Sequence, residues 1–139
     1  MSKLMGIIVL AALAAAPASA QTAIPDLRGT WKGESESIVL GGGHPHHLAA
    51  PANEPRLSSI AFTLTIDKQD GRRFSGTFSS ARSSETVIAV IARTSTIYMV
   101  DDDGYDTGTL LAPNRMEICY RHLSSAARVA SCTEFTRQP

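Results

Sequence analysis

The sequence of 139 residues lacks the features that mark several large classes of protein. Its 13 Lys and Arg residues are balanced by 13 Asp and Glu residues, so it has no basic excess of the kind that nucleic-acid binders carry. Beyond the N-terminal segment, no apolar run approaches the ~20 residues that a membrane-spanning helix needs. No segment has the apolar periodicity of an amphipathic helix. These absences argue against nucleic acid as a partner and against a membrane span, and they favour an all-β chain.

Residues 1–20 have the composition of an export signal. Lys3 supplies a basic start, residues 5–16 are apolar, and Ala18-Ser19-Ala20 matches the A-x-A cleavage pattern. Residues 21–139 are enough for a single domain with one core. We therefore predict a signal peptide over 1–20, a single domain over 21–139, and a periplasmic or secreted location.

Cysteine is scarce, with only Cys119 and Cys132 present. In an exported chain we expect these two to form one disulfide between the last two strands. Closing a loop of that size contributes roughly 3 kcal/mol in the chain-entropy account. A catalytic or metal-binding cysteine pair is the alternative, but the spacing is far from C-x-x-C.

Strand signals dominate the remaining sequence. Short turns join the segments, which is typical of an antiparallel up-and-down meander, and closing such a meander into a barrel removes its exposed edges. The predicted fold class is therefore all-β, an eight-stranded antiparallel up-and-down β-barrel. The eight strands are predicted at 30–38, 60–67, 72–79, 85–92, 96–101, 105–111, 115–122 and 128–136.

Gly29-Thr30-Trp31 stands at the head of the first strand. Together with the strand count, this motif resembles the calycin superfamily, which includes lipocalins, fatty-acid-binding proteins and avidin-like barrels. The resemblance implies that Trp31 plugs the closed end of the barrel and that the long first hairpin loop overhangs the open end. It also implies that Arg137 lies over the indole as a cation–π partner, with an ordinary tail arginine as the alternative. Biotin binding is not carried over, because avidin-like barrels cage biotin with several tryptophans and this chain has one.

The turn signals predict the strand register. Gln69-Asp70-Gly71 fits a three-residue hairpin loop, which places Ile66 opposite Phe74 and Phe62 opposite Phe78. In the hairpin that joins the predicted strands 105–111 and 115–122, Pro113-Asn114 suits the centre of a type I turn. That turn predicts Leu111–Met116, Thr109–Ile118 and Thr107–Tyr120 as inward pairs and Asp106–Arg121 as an outward pair.

This register gives the two ends of the barrel different interiors. The end near Trp31 is predicted to be packed with large apolar side chains. The opposite end collects aromatic rings and hydroxyls, which cost free energy inside a barrel unless they are hydrogen-bonded. We predict a half-open ligand pocket there, with a fully packed interior of mutually bonded hydroxyls as the alternative. The predicted ligand-binding residues are Ser35, Ser37, Phe62, Phe78, Tyr105, Thr107, Tyr120 and Ser131.

The longest connection, residues 39–57, is expected to run over this mouth, and loops of such length are usually functional or disordered. It contains His44-Pro45-His46-His47. Imidazole suits Zn²⁺, Cu²⁺ and Ni²⁺, so His44, His46 and His47 are candidate metal ligands, with His122 near the mouth as a fourth. A solvated histidine cluster is the favoured alternative, since no neighbouring carboxylate completes a site in the sequence. No cofactor is predicted.

Two further segments bear on the function. Asp101-Asp102-Asp103-Gly104 resembles part of a calcium loop but lacks the terminal glutamate, so Asp103-Gly104 is predicted to be a hairpin turn. Strands 85–101 are apolar on both faces, which favours a homo-oligomer contact there.

These observations predict an exported barrel that binds a small, partly apolar molecule entering under loop 39–57. The alternative is a protein-interaction module, such as an inhibitor of a periplasmic or host hydrolase. The sequence has no nucleophile-elbow motif and no recognisable acid/base pair, so the chain is predicted not to be an enzyme.

Overall fold

A computed structural model describes residues 23–42 and 44–139. The predicted signal peptide, residues 1–20, lies outside the described residues. No helix within the described ranges is long and apolar enough to cross a membrane. The described chain folds into nine strands: β1 (Gly29–Gly41), β2 (Arg56–Ser58), β3 (Ala61–Asp70), β4 (Arg73–Ser79), β5 (Ser84–Ile91), β6 (Thr96–Val100), β7 (Tyr105–Ala112), β8 (Arg115–Leu123) and β9 (Ala127–Arg137).

The strands form one closed antiparallel barrel. Strands β3 to β9 pair in sequence order, and β1 closes the sheet by pairing with both β3 and β9. The short strand β2 pairs with the far half of β1, beyond the part that pairs with β3. The predicted eight-stranded up-and-down barrel is confirmed. The structure adds the short strand β2, which overlaps the end of the predicted loop 39–57, and β1 continues into the start of that loop as far as Gly41.

The closed end of the barrel is built around Trp31, which is fully buried. Its indole Nε1 donates a hydrogen bond of 2.8 Å to the carbonyl oxygen of Leu27, in the segment that precedes β1. The Gln69 side chain accepts a bond of 2.6 Å from the Leu27 amide and so holds that segment under the barrel. The Arg137 guanidinium lies 5.8 Å from the indole centroid. Trp31 and Arg137 therefore take the positions that the calycin resemblance implies.

The register between β3 and β4 differs from the prediction. Ile66 lies opposite Gly76 rather than Phe74, and Leu64 rather than Phe62 lies opposite Phe78. The turn is tighter than expected, because Asp70 already pairs with Arg73, and a bulge lies between Ile66 and Lys68. The predicted pairs are wrong by two positions. Side chains alternate with a period of two, so the same residues still face the core.

The register between β7 and β8 differs by one position, with a larger effect. A bulge between Leu110 and Ala112 sets Leu110 opposite Met116 and Asp106 opposite Tyr120. All four predicted pairs, Leu111–Met116, Thr109–Ile118, Thr107–Tyr120 and Asp106–Arg121, are therefore wrong. A one-residue shift exchanges the two faces of a strand. Asp106 is consequently inside the barrel, only 4% exposed, while Tyr105 on the outside is 69% exposed.

The predicted disulfide between Cys119 and Cys132 is confirmed. The two residues lie directly opposite each other on β8 and β9. The same register sets Glu117 opposite Glu134. Arg115 relieves this like-charge pair, because its Nη2 donates a bond of 2.6 Å to Glu134 Oε1.

The outside of the barrel carries an apolar face on β5, β6 and the start of β7. Its large side chains are exposed: Ile88, Val90, Tyr98, Val100 and Tyr105. They line a shallow groove of about 840 Å³. This is the face that the two-sided apolar pattern of strands 85–101 predicts.

Candidate metal centre at the barrel mouth

The histidine segment of the loop lies inside the mouth of the barrel. His44, His46 and His47 are 7%, 2% and 3% exposed. Two backbone bonds anchor the segment: Gly42 N donates 3.0 Å to Ala126 O, and Ala50 N donates 2.7 Å to Gly41 O. The prediction of a solvated histidine cluster is therefore wrong. We refer to residues 44–47 as the histidine plug.

Aromatic rings explain why the plug is buried. The rings of Phe62 and Phe78 lie 4.5 Å apart at the mouth. The His46 ring packs edge-on against both, with centroids 5.2 Å and 5.8 Å away. Its Nδ1 lies 2.7 Å from Ser80 Oγ, a hydrogen bond that fixes the ring orientation. Packing against these rings buries His46 in spite of its polarity.

The plug fills the pocket that the sequence predicts. The remaining cavity in the mouth is about 20 Å³, little more than the ~10–15 Å³ that one water molecule needs. The serine hydroxyls satisfy one another, with 2.9 Å from Ser35 Oγ to Ser37 Oγ and 2.7 Å from Ser37 Oγ to Ser131 Oγ. The half-open pocket is therefore corrected to the packed alternative.

The predicted ligand-binding residues divide into two groups. Those that face the mouth are Ser35, Ser37, Phe62, Phe78, Tyr120 and Ser131. Tyr105 and Thr107 do not join them, because the β7 bulge turns both side chains to the outside, where they line the apolar groove. Their assignment to the barrel interior is wrong for that reason.

Three side chains from separate segments converge beside the plug. They are His44 of the plug, Asp103 of the turn between β6 and β7, and His122 near the end of β8. Each offers one ligand atom, and these atoms all lie within 4.8 Å of one another. His44 Nε2 is 3.9 Å from Asp103 Oδ1, and His122 Nδ1 is 3.9 Å from Asp103 Oδ2. Two imidazoles and a carboxylate form a ligand set typical of zinc sites.

Tyr120 connects His44 to Asp103 through hydrogen bonds. The His46 amide donates to His44 Nδ1 at 3.2 Å, so a neutral His44 carries its proton on Nε2. That nitrogen lies 2.9 Å from Tyr120 Oη, and the tyrosine hydroxyl donates 2.7 Å to Asp103 Oδ1. Burial, followed by this hydrogen bond, raises the pKa of Tyr120, so the hydroxyl stays a neutral donor.

The turn that carries Asp103 is the predicted hairpin. The Asp101 carboxylate accepts bonds from the Gly104 amide at 2.6 Å and the Asp103 amide at 3.2 Å. A glycine is required next to Asp103, because a Cβ atom at Gly104 would lie 2.0 Å from the Tyr120 ring. His122 Nδ1 donates 2.9 Å to the Asp103 carbonyl, which orients the imidazole towards the turn.

A second group of donors adjoins the first. Glu85, Asp101 and Asp103 also place one ligand atom each within 4.8 Å of the others. The buried Glu85 carboxylate has Oε2 3.2 Å from His46 Nε2. Within the described residues, His46 Nε2 and Asp106 Oδ2 have no hydrogen-bond partner. His47 Nδ1 has none there either.

Burial dominates the electrostatics of the mouth. It lowers the pKa of His44 to about 4 and that of His47 to about 4, so both imidazoles are neutral at pH 7. Burial, with the Asp101 charge as the next cause, raises the pKa of Glu85 to about 7 and that of Asp106 to about 8. Neutral imidazole is the form that binds a metal ion, and the carboxyl groups give up their protons when one binds.

Sequence reasoning missed the carboxylates of this site. The sequence predicts only a hairpin turn at Asp103, although in the structure that turn faces the mouth. Glu85 could have been found, because it has the same parity along β5 as the buried residues Val87 and Ile91. Asp106 could not have been found, because its inward orientation depends on the bulge in β7.

No protein family matches the sequence, and no curated protein matches it. Among solved structures, the barrel is similar to the S-type phycobiliprotein lyase CPES from Guillardia theta, at 11% sequence identity over 81% of this chain and 89% of the lyase chain, with a TM-score of 0.38. A similarity at this level assigns no activity to this chain. It does contradict the sequence-based prediction that the chain is not an enzyme, because the similar structure is a lyase. That prediction is corrected and is not carried further.

Proposed function

We propose that the protein binds a divalent transition-metal ion in the mouth of its barrel, held by His44, Asp103 and His122. The observation that supports this most strongly is the convergence of three donor atoms, from three distant segments, within 4.8 Å. Imidazole nitrogen and carboxylate oxygen together suit Zn²⁺. A metal ion thereby replaces the small, partly apolar molecule that the sequence predicts for this mouth.

Binding requires small movements of the three side chains and a change of tautomer in both imidazoles, because His44 Nε2 and His122 Nδ1 now donate to Tyr120 and to the Asp103 carbonyl. A tetrahedral zinc ion with bonds of about 2.0–2.2 Å needs its donor atoms roughly 3.4 Å apart. The present separations of 3.9 Å between each imidazole and Asp103 are slightly larger. An ion binds His44 Nε2 once the proton on that nitrogen has moved to Nδ1, and Nδ1 then loses the bond that it accepts from the His46 amide. Three protein ligands leave a fourth position, next to the Tyr120 hydroxyl, for water.

The size of the interior favours an ion over an organic ligand. Pockets for drug-sized molecules have volumes of about 300–1,000 Å³. The mouth retains about 20 Å³ with the plug in place. An organic molecule therefore enters the barrel only if the plug withdraws, whereas an ion fits between side chains that are already adjacent.

We place the protein outside the cytoplasm, in the periplasm or secreted. The disulfide between Cys119 and Cys132 supports this, since such bonds persist in oxidising compartments. The export signal predicted over residues 1–20 supports it independently.

Isothermal titration of the full chain with Zn²⁺ tests the proposal. The wild type is expected to bind, and His122→Ala and Asp103→Asn are each expected to lose at least tenfold in affinity. Asp102→Asn is the matched control, because it removes an exposed carboxylate from the same turn. An equal loss in Asp102→Asn and Asp103→Asn, or no binding by the wild type, contradicts the proposal.

The outer apolar face supports a second candidate, self-association. Large side chains including Ile88 and Tyr98 are exposed there, and patches of this kind mark interfaces. The alternative predicted from the sequence, a protein-interaction module, suits this face better than the histidine plug, which is buried. Sedimentation of the wild type should show a dimer that Tyr98→Lys abolishes. A monomeric wild type at tens of micromolar excludes it.

A further inference from the structure

We propose that Glu85, Asp101 and His46 hold a second divalent cation and that Asp103 bridges it to the first, making the mouth a dinuclear centre. The inference rests on the proposed function, because Asp103 belongs to both ligand groups. Within the described residues, these two groups are the candidate metal clusters of the chain, and they share that one residue. A carboxylate has two oxygens, so it can serve one ion with each.

The two oxygens of Asp103 are already directed to different neighbours. Oδ1 is 3.9 Å from His44 Nε2 and accepts the Tyr120 hydroxyl, whereas Oδ2 is 3.9 Å from His122 Nδ1. Both of these imidazoles belong to the first group, so a bridge requires one Asp103 oxygen to turn towards Glu85 and Asp101, whose ligand atoms lie within 4.8 Å of that of Asp103. Bridged ion pairs in proteins are about 3.5–4 Å apart. A shared Asp103 carboxylate would hold the two ions at that separation.

His46 is the independent sign of a ligand in the second group. Its side chain is 2% exposed, and its Nε2 has no hydrogen-bond partner within the described residues. That nitrogen lies 3.2 Å from Glu85 Oε2 but is not in hydrogen-bond geometry with it. Buried polar atoms in native structures are nearly always paired, so an unpaired one next to a carboxylate calls for a specific explanation. A cation between His46 Nε2 and the Glu85 carboxylate satisfies both groups.

The charges around the second group lead to the same conclusion. Glu85 and Asp101 line the mouth together with Asp106, whose Oδ2 is also without a hydrogen-bond partner there. Among the described residues that line the mouth, no Lys or Arg offsets these carboxylates. The Arg121 charge acts on Asp106, but its guanidinium bonds to Thr107 on the outside of β7. A bound cation supplies the missing positive charge.

The donor atoms of the two sites differ, and this difference predicts their preferences. The first site has two imidazoles and one carboxylate, which suit Zn²⁺. The second has three carboxylates and one imidazole, an oxygen-rich set that suits Mn²⁺. We therefore expect the second site to prefer Mn²⁺ to Zn²⁺, because Mn²⁺ is the harder of these two ions.

Metal stoichiometry after equilibrium dialysis of the full chain tests the inference, with Zn²⁺ and Mn²⁺ as probes. The wild type is expected to retain two equivalents of metal. Glu85→Gln and His122→Ala are each expected to retain one, and Asp103→Asn none. Asp102→Asn, the control on the same turn, should retain two. Circular dichroism checks that each variant is folded, and His46→Gln provides a second way to remove the second site.

The outcomes separate this inference from the proposed function. One outcome is a single equivalent in the wild type that Glu85→Gln and His46→Gln keep and His122→Ala loses. That result overturns the second site and leaves the proposed function standing. If the single equivalent is instead lost in Glu85→Gln and kept in His122→Ala, the histidine site and the dinuclear centre are both overturned. In Mn²⁺-loaded protein, an exchange-coupled paramagnetic resonance spectrum supports the Asp103 bridge. A spectrum of two uncoupled ions overturns the bridge.

Discussion

The two ends of the barrel are built from different chemistry on one continuous sheet. At the closed end, Trp31 is fully buried, and its only polar atom donates to the Leu27 carbonyl. At the mouth, His46 and Asp106 are almost as deeply buried, yet each has a polar atom without a partner within the described residues. Unsatisfied buried groups cost free energy, and native proteins keep them mainly where they serve a function. The comparison indicates that the closed end provides stability and the mouth provides binding.

The largest expected effect is at the closed end. Trp31→Ala should lower the free energy of unfolding by about 3–5 kcal/mol, because it removes the largest side chain of the core and leaves a cavity. Urea denaturation measures this loss, and Trp31→Phe should recover a large part of it. A loss below about 1 kcal/mol would show that the closed end is not the stabilising end.

The second largest loss in the free energy of unfolding is expected when the disulfide is removed. Replacing both cysteines by serine, Cys119→Ser with Cys132→Ser, should cost roughly 3 kcal/mol, because the bridge closes a short loop and restricts the unfolded chain. Thermal unfolding with and without reductant measures it. The bridge lies on the wall and not in the mouth, so Zn²⁺ affinity should be unchanged in the folded variant. A matching loss of affinity would mean that the wall and the mouth are not independent.

Asp106 should make the free energy of unfolding depend on pH above the ordinary range of a carboxyl group. Burial, with the Asp101 charge second, raises its pKa to about 8 from the ordinary value of 3.8. Because the folded pKa lies above the unfolded pKa, the free energy of unfolding is highest below the unfolded pKa. It falls as the pH rises from there to about 8, where Asp106 loses its proton in the folded protein. Asp106→Asn should remove this loss.

Urea denaturation at pH 5, 7 and 9 compares this variant with the wild type. Asp106→Asn should gain stability relative to the wild type as the pH rises, with little further gain above pH 8. Asp102→Asn, which changes an exposed carboxylate, should follow the wild-type profile. Parallel profiles for Asp106→Asn and the wild type would refute the assignment of a neutral Asp106.

The smallest expected change in stability comes from the plug. His46→Phe should alter the free energy of unfolding of the metal-free protein by no more than about 1 kcal/mol, because an apolar ring of similar shape replaces a partly unsatisfied one against Phe62 and Phe78. Chemical denaturation of the metal-free protein measures it. A loss comparable with that of Trp31→Ala would remove the distinction between the two ends.

The strands and the disulfide were predictable because they depend on local signals. Alternation of apolar and polar residues marks a strand within a few positions, and turn residues mark its ends. The exact partners were not predictable. The bulges between Ile66 and Lys68 and between Leu110 and Ala112 change the register without a clear sequence signal. The first shifts the pairs by two and keeps the core, whereas the second moves Asp106 inside.

The sequence by itself determined an all-β chain, because period-two alternation and scarce helical signals are properties of neighbouring residues. The place of Trp31 at the closed end came from the resemblance of Gly29-Thr30-Trp31 to calycin barrels. Only the tertiary structure decided that the polar histidine segment is buried and that Asp103 faces it. Positions 44, 103 and 122 are far apart in the chain, and their donor atoms meet only when the barrel closes and the loop folds into its mouth. Local sequence pattern does not predict this contact, because the contact depends on the register of every strand between the three residues.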